Sequence, residues 1–219
     1  MQLTDKFEFD KCNNKKKYSI KHDEIPISMS KELRDAIYYL LWYVPNIKSE
    51  QSNKNELLTN PLYDDYLFIE VMAAMGLRDQ DVLFTESISD DLIKPFLKEV
   101  CTKTPKLIMT IAGGETKIMA VLRHIRNAIA HGNFNIIDDI VIGFDLQRYE
   151  DTTEYRGFFK INPNNLLDAL NKIQFDYNSQ KLIVSAFKNT GYHIEAYQQK
   201  YQRSHDFELF AKKGNKKYA

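Results

Sequence analysis

The stretch LRHIRNAIAHGNF, residues 122–134, constrains the fold of this chain more than any other part of the sequence. Its apolar residues recur every three or four positions, which is the spacing of one buried face of an α-helix. Gly132 follows them, and glycine is the residue that most readily takes the left-handed conformation just after a helix end. We therefore predict a long helix from about Glu115 to His131 with one side in the core.

The opposite side of this predicted helix carries a dense set of polar side chains. On a wheel of about 100° per residue, the face away from the apolar stripe holds Arg123, His124, Arg126, Asn127 and His131. Imidazole suits proton transfer near neutral pH, and guanidinium binds phosphate through two donors. With an amide to orient the attacked group, these are the parts needed for RNA transesterification. One helix supplies only half of such a site, and a second copy across a two-fold axis would complete it.

Composition narrows the class of protein. The 219 residues are 43% hydrophobic and 27% charged, as in a globular protein with a sizeable core. The formal net charge is zero, so an RNA ligand would need a local basic patch. Cys12 and Cys101 have no metal-ligand spacing and suit a reducing cytosol. No apolar run is long enough for a signal peptide or a membrane span, so we expect a cytoplasmic protein without a membrane partner.

The remaining pattern predicts mostly helices. We expect one from Ser30, one between Asn60-Pro61 and Gly76, short ones near Asp81 and over residues 90–102, and one from Asn162-Pro163, followed by a last helix over residues 178–203. After the motif helix, NFNIIDDIVIGFDLQ predicts two short strands around Asp138-Asp139, and EYRGFFKI predicts a third. Thr104-Pro105 opens an apolar segment, KLIMTIA, which Gly113-Gly114 interrupts before the motif helix. The predicted fold class is mainly α, a helical bundle with a small antiparallel β-sheet inserted after the motif helix.

We expect three parts along the chain. Residues 1–29 form an N-terminal arm whose lysine run, residues 15–17, is expected to be solvated. Residues 30–176 form the main domain. Residues 177–219 form a C-terminal helix and a basic tail packed on the same domain. The tail carries Lys212, Lys213, Lys216 and Lys217, is expected to fray, and would either aid solubility or add nonspecific RNA affinity.

The heptapeptide RNAIAHG, residues 126–132, resembles the Arg-x4-His signature of the HEPN superfamily. In that signature the position after the arginine is often polar, and here it is Asn127. The sequence is most similar to small bacterial HEPN proteins in which the motif helix runs into an HGN turn and a short hairpin. The resemblance covers roughly residues 30–176, and it implies an α-helical bundle that dimerises through its motif helices.

The resemblance also implies a function. Family members are frequently metal-independent endoribonucleases of toxin–antitoxin and anti-phage systems. Arg126 and His131 would be the catalytic pair and Asn127 the intervening polar residue, while Arg123 and His124 match no strict motif position and are expected only as RNA-contacting neighbours. The expected partners are RNA, a second copy and an antitoxin or defence-system component, without cofactor or metal. The alternative is a catalytically inactive HEPN module that dimerises or binds nucleotide or RNA and regulates a partner.

Other signals favour structural roles. Residues 113–117, GGETK, lack the spacing of a phosphate-binding loop. His124 and His131 have no paired ligand spacing for a metal. Asp64-Asp65 would be either a catalytic carboxylate pair or first-turn acids that favour the helix dipole. In a purely structural interpretation, Arg126 and His131 only interact with carbonyls at the helix C-terminus.

Overall fold

The computed structural model describes residues 6–20, 29–43, 56–174, 178–196 and 209–218. The helices are α1 (Lys31–Tyr43), α2 (Glu56–Thr59), α3 (Pro61–Ala74), α4 (Asp90–Ile93), α5 (Lys117–Ala130), α6 (Pro163–Gln174) and α7 (Ser179–Asn189). The strands are β1 (Lys16–Lys17), β2 (Val82–Thr85), β3 (Glu99–Val100), β4 (Lys106–Thr110), β5 (Phe134–Ile137), β6 (Ile140–Arg148), β7 (Thr153–Ile161), β8 (His193–Ala196), β9 (Leu209–Lys213) and β10 (Lys216–Tyr218). Among these helices, none is long and apolar enough to cross a membrane.

The centre of the fold is a five-stranded mixed sheet in the order β2-β4-β7-β6-β5. β2 and β4 pair in parallel, and the other neighbours pair antiparallel. The hairpin of β5 and β6 around Asp138-Asp139, and β7 after it, were expected from the sequence. The predicted fold class, a mainly-α bundle with a small antiparallel sheet after the motif helix, is wrong. Two strands of this sheet, β2 and β4, precede that helix, and the sheet runs through the middle of the domain.

Burial on both faces explains why β2 and β4 were missed. Val82 and Leu107 point to the helices, while Leu83 and Ile108 point to the opposite side of the sheet, and all are buried. A strand covered on both faces is a short continuous apolar run, whose period cannot be told from that of a helix. The expected helix near Asp81 is a 3-10 turn, Asp79–Asp81, followed by β2.

The segment 90–102, expected as one helix, is shorter and irregular. The α-helical part ends at Ile93, and a 3-10 turn, Lys94–Phe96, follows. Pro95 lies in this turn, and proline lacks the N–H that a continuing helix would need. The chain then forms the short strand β3.

The two faces of the sheet bury separate hydrophobic clusters. The first lies between the sheet and α1, α3, α5 and α6, with Leu40, Val71, Val121, Ile125 and Leu166 among its residues. The second lies on the other face, where Phe96 stacks on Phe158 at a ring-centroid distance of 4.4 Å. α5 therefore lies between a helical layer and the sheet, and this position decides which of its side chains reach solvent.

The N-terminal arm differs from the expected solvated segment. Residues 6–20 lie along the second face, where β1 pairs antiparallel with β3. The Tyr18 hydroxyl donates a hydrogen bond to the Phe96 carbonyl, and Asn135 Nδ2 donates to Ser19 O at 2.7 Å. The lysine side chains of β1 remain exposed, as expected. The arm thus covers the second face of the sheet together with α4 and the 3-10 turn that follows it.

The C-terminal region also differs from the prediction. α7 ends at Asn189, and Gly191 takes a positive φ of 84° directly after the helix. β8, β9 and β10 then form an antiparallel sheet, so the described part of the basic tail is a hairpin and not a frayed end. Lys213 Nζ donates to Thr190 O at 2.7 Å and satisfies a carbonyl at the end of α7. The helix expected over 178–203 is therefore present only over Ser179–Asn189, since the chain turns at Gly191 and forms β8. Residues 197–203 lie outside the described residues.

Candidate active site

The C-terminal end of α5 forms by the hydrogen bonds of a Schellman motif. Gly132 N donates to Ile129 O at 3.0 Å, and Asn133 N donates to Ala128 O at 2.8 Å. Gly132 has a φ of 67°, which a residue with a side chain would adopt only with strain. The chain therefore turns at once into β5 and leaves the His131 side chain exposed at the helix end.

Two side chains hold the N-terminal end of α5. Thr116 Oγ1 accepts from Met119 N at 3.2 Å and donates to Leu58 O at 2.7 Å. The Asp64 carboxylate of α3 accepts from Lys117 N at 2.8 Å and from Ile118 N at 3.1 Å. Burial raises the pKa of Asp64, and the two backbone bonds offset this only in part. Asp64 is thus a cap for a neighbouring helix, which neither sequence interpretation anticipated.

His124 lies inside the protein, although the wheel predicted it on the outer polar face. Its exposed fraction is 0%. Nδ1 lies 2.7 Å from Asp145 Oδ2, and Nε2 lies 2.8 Å from Thr110 O on β4. The reason is that α5 packs on the sheet as well as on the helices, so part of the predicted polar face is covered. A ligand in solution does not reach this imidazole.

Asp145 is the central residue that the sequence analysis missed. It projects from β6 towards α5, is 6% exposed, and also accepts from Asn127 Nδ2 at 3.1 Å. Burial favours a higher pKa, but the hydrogen bonds from His124 and Asn127 and the charge of Arg123 outweigh it and hold the pKa of Asp145 below its usual range. The side chain is therefore a carboxylate at neutral pH. The available signal was an acidic residue at an inward position of an otherwise apolar strand.

Asn127 links Asp145 to Arg126. Its Oδ1 accepts from Arg126 Nη1 at 2.9 Å. Arg126 Nε is buried and has no hydrogen-bond partner among the described residues. No carboxylate in the described part of the chain forms an ion pair with Arg126, so its positive charge is held by an amide and not neutralised.

Arg123 makes a different set of contacts. Nε and Nη2 donate to the Glu115 carboxylate at 2.6 and 2.7 Å, and Nη2 lies 3.2 Å from His124 Nε2. Its guanidinium is therefore engaged with Glu115, a second residue that the sequence analysis did not assign to the site. In this structure Arg123 and His124 therefore make contacts within the protein that hold the motif helix in place.

The structure places the predicted catalytic residues Arg126, Asn127 and His131 within the last two turns of α5 and its C-terminal cap. Arg126 and Asn127 are in direct contact, and the His131 backbone N donates to Asn127 O at 3.0 Å. The His131 side chain is exposed, and Arg126 and Asn127 are partly exposed. A search of the described residues finds no group of three or more His, Cys, Asp or Glu side chains that could hold a metal ion. The motif is thus a small cationic surface with one exposed imidazole.

A comparison with known families places this geometry in context. A family model described as HEPN pEK499 p136 matches residues 28–183, which contain the whole of α5 and each of its partners described above. No curated protein and no solved structure matches the chain. The matched span covers most of the sequence and includes the RNAIAHG heptapeptide. The chain is therefore a member of the HEPN superfamily, in the family HEPN pEK499 p136.

Proposed function

We propose that this protein is a metal-independent endoribonuclease that acts as a toxin or an anti-phage effector in the cytoplasm. HEPN families typically include ribonucleases, so family membership supports an RNA-related, toxin-like function. The finer proposal is cleavage of RNA by attack of a ribose 2′-OH on the adjacent phosphorus. Its substrate is RNA, and an antitoxin or defence-system component would control it.

The observation that supports this proposal most directly is the set of hydrogen-bond partners of the Arg126 guanidinium. Its guanidinium donates to the Asn127 amide oxygen and has a buried Nε donor without a partner among the described residues. A phosphate is the ligand that suits a planar, uncompensated guanidinium. His131 is exposed four residues after Asn127, at the end of the same helix. Phosphate binding and proton transfer are thus available on one surface.

In the proposed reaction, His131 takes the proton of the 2′-OH. The resulting O2′ forms a bond to phosphorus while the bond from phosphorus to the 5′ oxygen breaks. Arg126 stabilises the negative charge that develops on the non-bridging oxygens, and Asn127 holds Arg126 in place. A second acid gives the departing 5′ oxygen its proton. The products are a 2′,3′-cyclic phosphate and a 5′-OH.

We propose that a second copy supplies the second acid. One α5 carries one exposed imidazole, whereas the reaction uses a base and an acid. Two-fold packing of two motif surfaces would place two His131 side chains across one groove. Light scattering at micromolar concentration tests this part separately, since a strict monomer contradicts a composite site.

Expression in cells tests the function. Induced wild-type protein should stop growth, and His131→Ala or Arg126→Ala should restore it, because each removes a group that acts in the transition state. His193→Ala is the matched control, since His193 is exposed on β8, outside the motif. The control should remain toxic.

Cleavage of total RNA by purified protein gives the direct measurement. Each motif variant should lose at least about a hundredfold in rate, and the products should carry the expected ends. Wild-type protein that neither stops growth nor cleaves RNA contradicts the nuclease. Protein that binds RNA through Arg126 without cleaving it would instead support the inactive, RNA-binding alternative.

A further inference from the structure

We propose that Asp145, acting through Asn127, is the positioning residue that orients the Arg126 guanidinium, and that buried His124 holds Asp145 in place. This inference rests on the proposed function, because it concerns the same site. Its basis is one continuous network from the sheet to the motif: His124 to Asp145, Asp145 to Asn127, and Asn127 to Arg126. Asp145 stands on β6, so it couples the motif helix to the sheet.

The chemistry of the amide makes the network directional. A carboxylate only accepts hydrogen bonds, whereas an asparagine amide donates at one end and accepts at the other. Because Asp145 takes Nδ2, Oδ1 of Asn127 must face Arg126. The reversed amide would put Oδ1 against the carboxylate and its NH2 group against the guanidinium, which are both repulsive. Asp145 therefore selects the amide orientation that holds Arg126.

The network also keeps the Asp145 carboxylate one amide away from Arg126. Oδ2 of Asp145 accepts from both His124 Nδ1 and Asn127 Nδ2, at 2.7 and 3.1 Å. The amide lies between the negative Asp145 and the positive Arg126, so it transmits orientation without forming an ion pair. A carboxylate in direct contact would compete with a phosphate for the same guanidinium.

His124 has a supporting role in this arrangement. It is fully buried and contacts Asp145 and Thr110, and it reaches neither solvent nor the exposed motif surface. A buried imidazole cannot exchange a proton with bound RNA. Its contact fixes the Asp145 carboxylate, much as an outer partner orients a ligand in other sites.

The test compares two substitutions at Asp145. Asp145→Ala removes the acceptor, whereas Asp145→Asn keeps an oxygen that can accept from Asn127. We expect Asp145→Ala to lower kcat by about 10- to 100-fold with little change in KM, and Asp145→Asn to restore most of the rate. A packing role alone would also spare Asp145→Asn, which keeps the shape of the side chain, so the double variant of Asp145→Ala with Asn127→Leu decides between the two roles. Asp139→Ala, an exposed carboxylate on the same hairpin, is the matched control and should cleave normally.

The Arg126 Nε–Hε signal in the NMR spectrum of RNA-free protein gives a second measurement, which does not depend on activity. Asp145→Ala should shift this signal, and Asp139→Ala and Asp145→Asn should leave it near its wild-type position. Asn127→Leu breaks the same link at a partly exposed site, so it should shift the Arg126 signal as Asp145→Ala does. The double variant, Asp145→Ala with Asn127→Leu, should show no further shift. If Asp145→Ala does not fold, Asn127→Leu alone tests the proposal.

The outcomes separate the two proposals. If the wild type does not cleave RNA but Asp145→Ala shifts the Arg126 signal, the nuclease proposal fails and the positioning role stands. If the wild type cleaves RNA and the Arg126 signal is unmoved in Asp145→Ala or in Asn127→Leu, the positioning role is wrong and the nuclease proposal stands. Additive losses in the double variant also contradict the network.

Discussion

Gly157 is the residue that lets the His124 imidazole lie against the sheet. It sits on β7 opposite Asp145 of β6, on the face that α5 covers. A Cβ built at Gly157 would lie 2.7 Å from both Cβ and Cγ of His124. These atoms stand next to the helix backbone and cannot swing away as the tip of a long side chain would. The absence of a side chain at one strand position therefore makes room for the network around Asp145.

We expect Gly157→Ala to destabilise the protein by about 1–3 kcal/mol, because the added methyl group overpacks a closed contact. It should also displace His124 from Asp145 and lower RNA cleavage. Chemical denaturation and the cleavage rate measure the two effects. Gly113→Ala is the control, since nothing lies within 4 Å of a Cβ there. It should change the free energy of unfolding by no more than about 0.5 kcal/mol. An equal loss of stability in both variants would show that the close approach to His124 is not the cause.

At the scale of elements, α5 is defined by its two ends. The sequence predicted a helix from about Glu115 to His131, and the structure has Lys117–Ala130. This close agreement has a local cause, since the apolar stripe, Thr116 and Gly132 act within a few residues of each other. Asp64 is a part of the N-terminal cap that no local pattern revealed, because it comes from α3.

Thr116→Ala should destabilise the protein by about 1–2 kcal/mol. It removes the side-chain cap of α5 and also leaves the Leu58 carbonyl without its donor in a buried place. Thermal or denaturant unfolding measures the change. Ser89→Ala is the matched comparison, because Ser89 precedes α4 in the N-cap position but makes no side-chain cap hydrogen bond. If both variants lose the same stability, the cap at Thr116 does not hold α5.

At the scale of the whole molecule, a buried ion pair joins the N-terminal arm to the central sheet. Lys160 of β7 is 0% exposed, forms an ion pair with Asp10 of the arm, and donates to Cys101 O at 2.7 Å. Burial lowers the pKa of Lys160, and the Asp10 carboxylate opposes this shift. The arm is therefore part of the buried cluster on the second face of the sheet. The charge pattern of the sequence could not show which lysine would pair with Asp10.

Asp10→Ala should cost about 3–5 kcal/mol of unfolding free energy at neutral pH, since it leaves a buried ammonium unpaired. The pKa of Lys160 in the folded variant should fall further below its unfolded value of about 10.4. The unfolded state then binds more protons, so the variant should regain stability as the pH rises towards that value. Denaturation at several pH values measures this. Glu8→Ala, which removes an exposed pair with Lys11, should have little effect.

The sequence by itself determined the motif helix, its end at Gly132, the hairpin at Asp138-Asp139 and the family, because each depends on residues close together in the chain. Tertiary structure alone decided the fold class and the surroundings of the motif. β2 and β4 became strands because helices and the arm cover both faces of the sheet. His124 became a buried support because Asp145 and Gly157, on strands that follow the helix, meet it across the core. Contacts between distant residues leave no period in the sequence, so the contacts of Asp145 and Gly157 with the motif helix became visible only in the folded molecule.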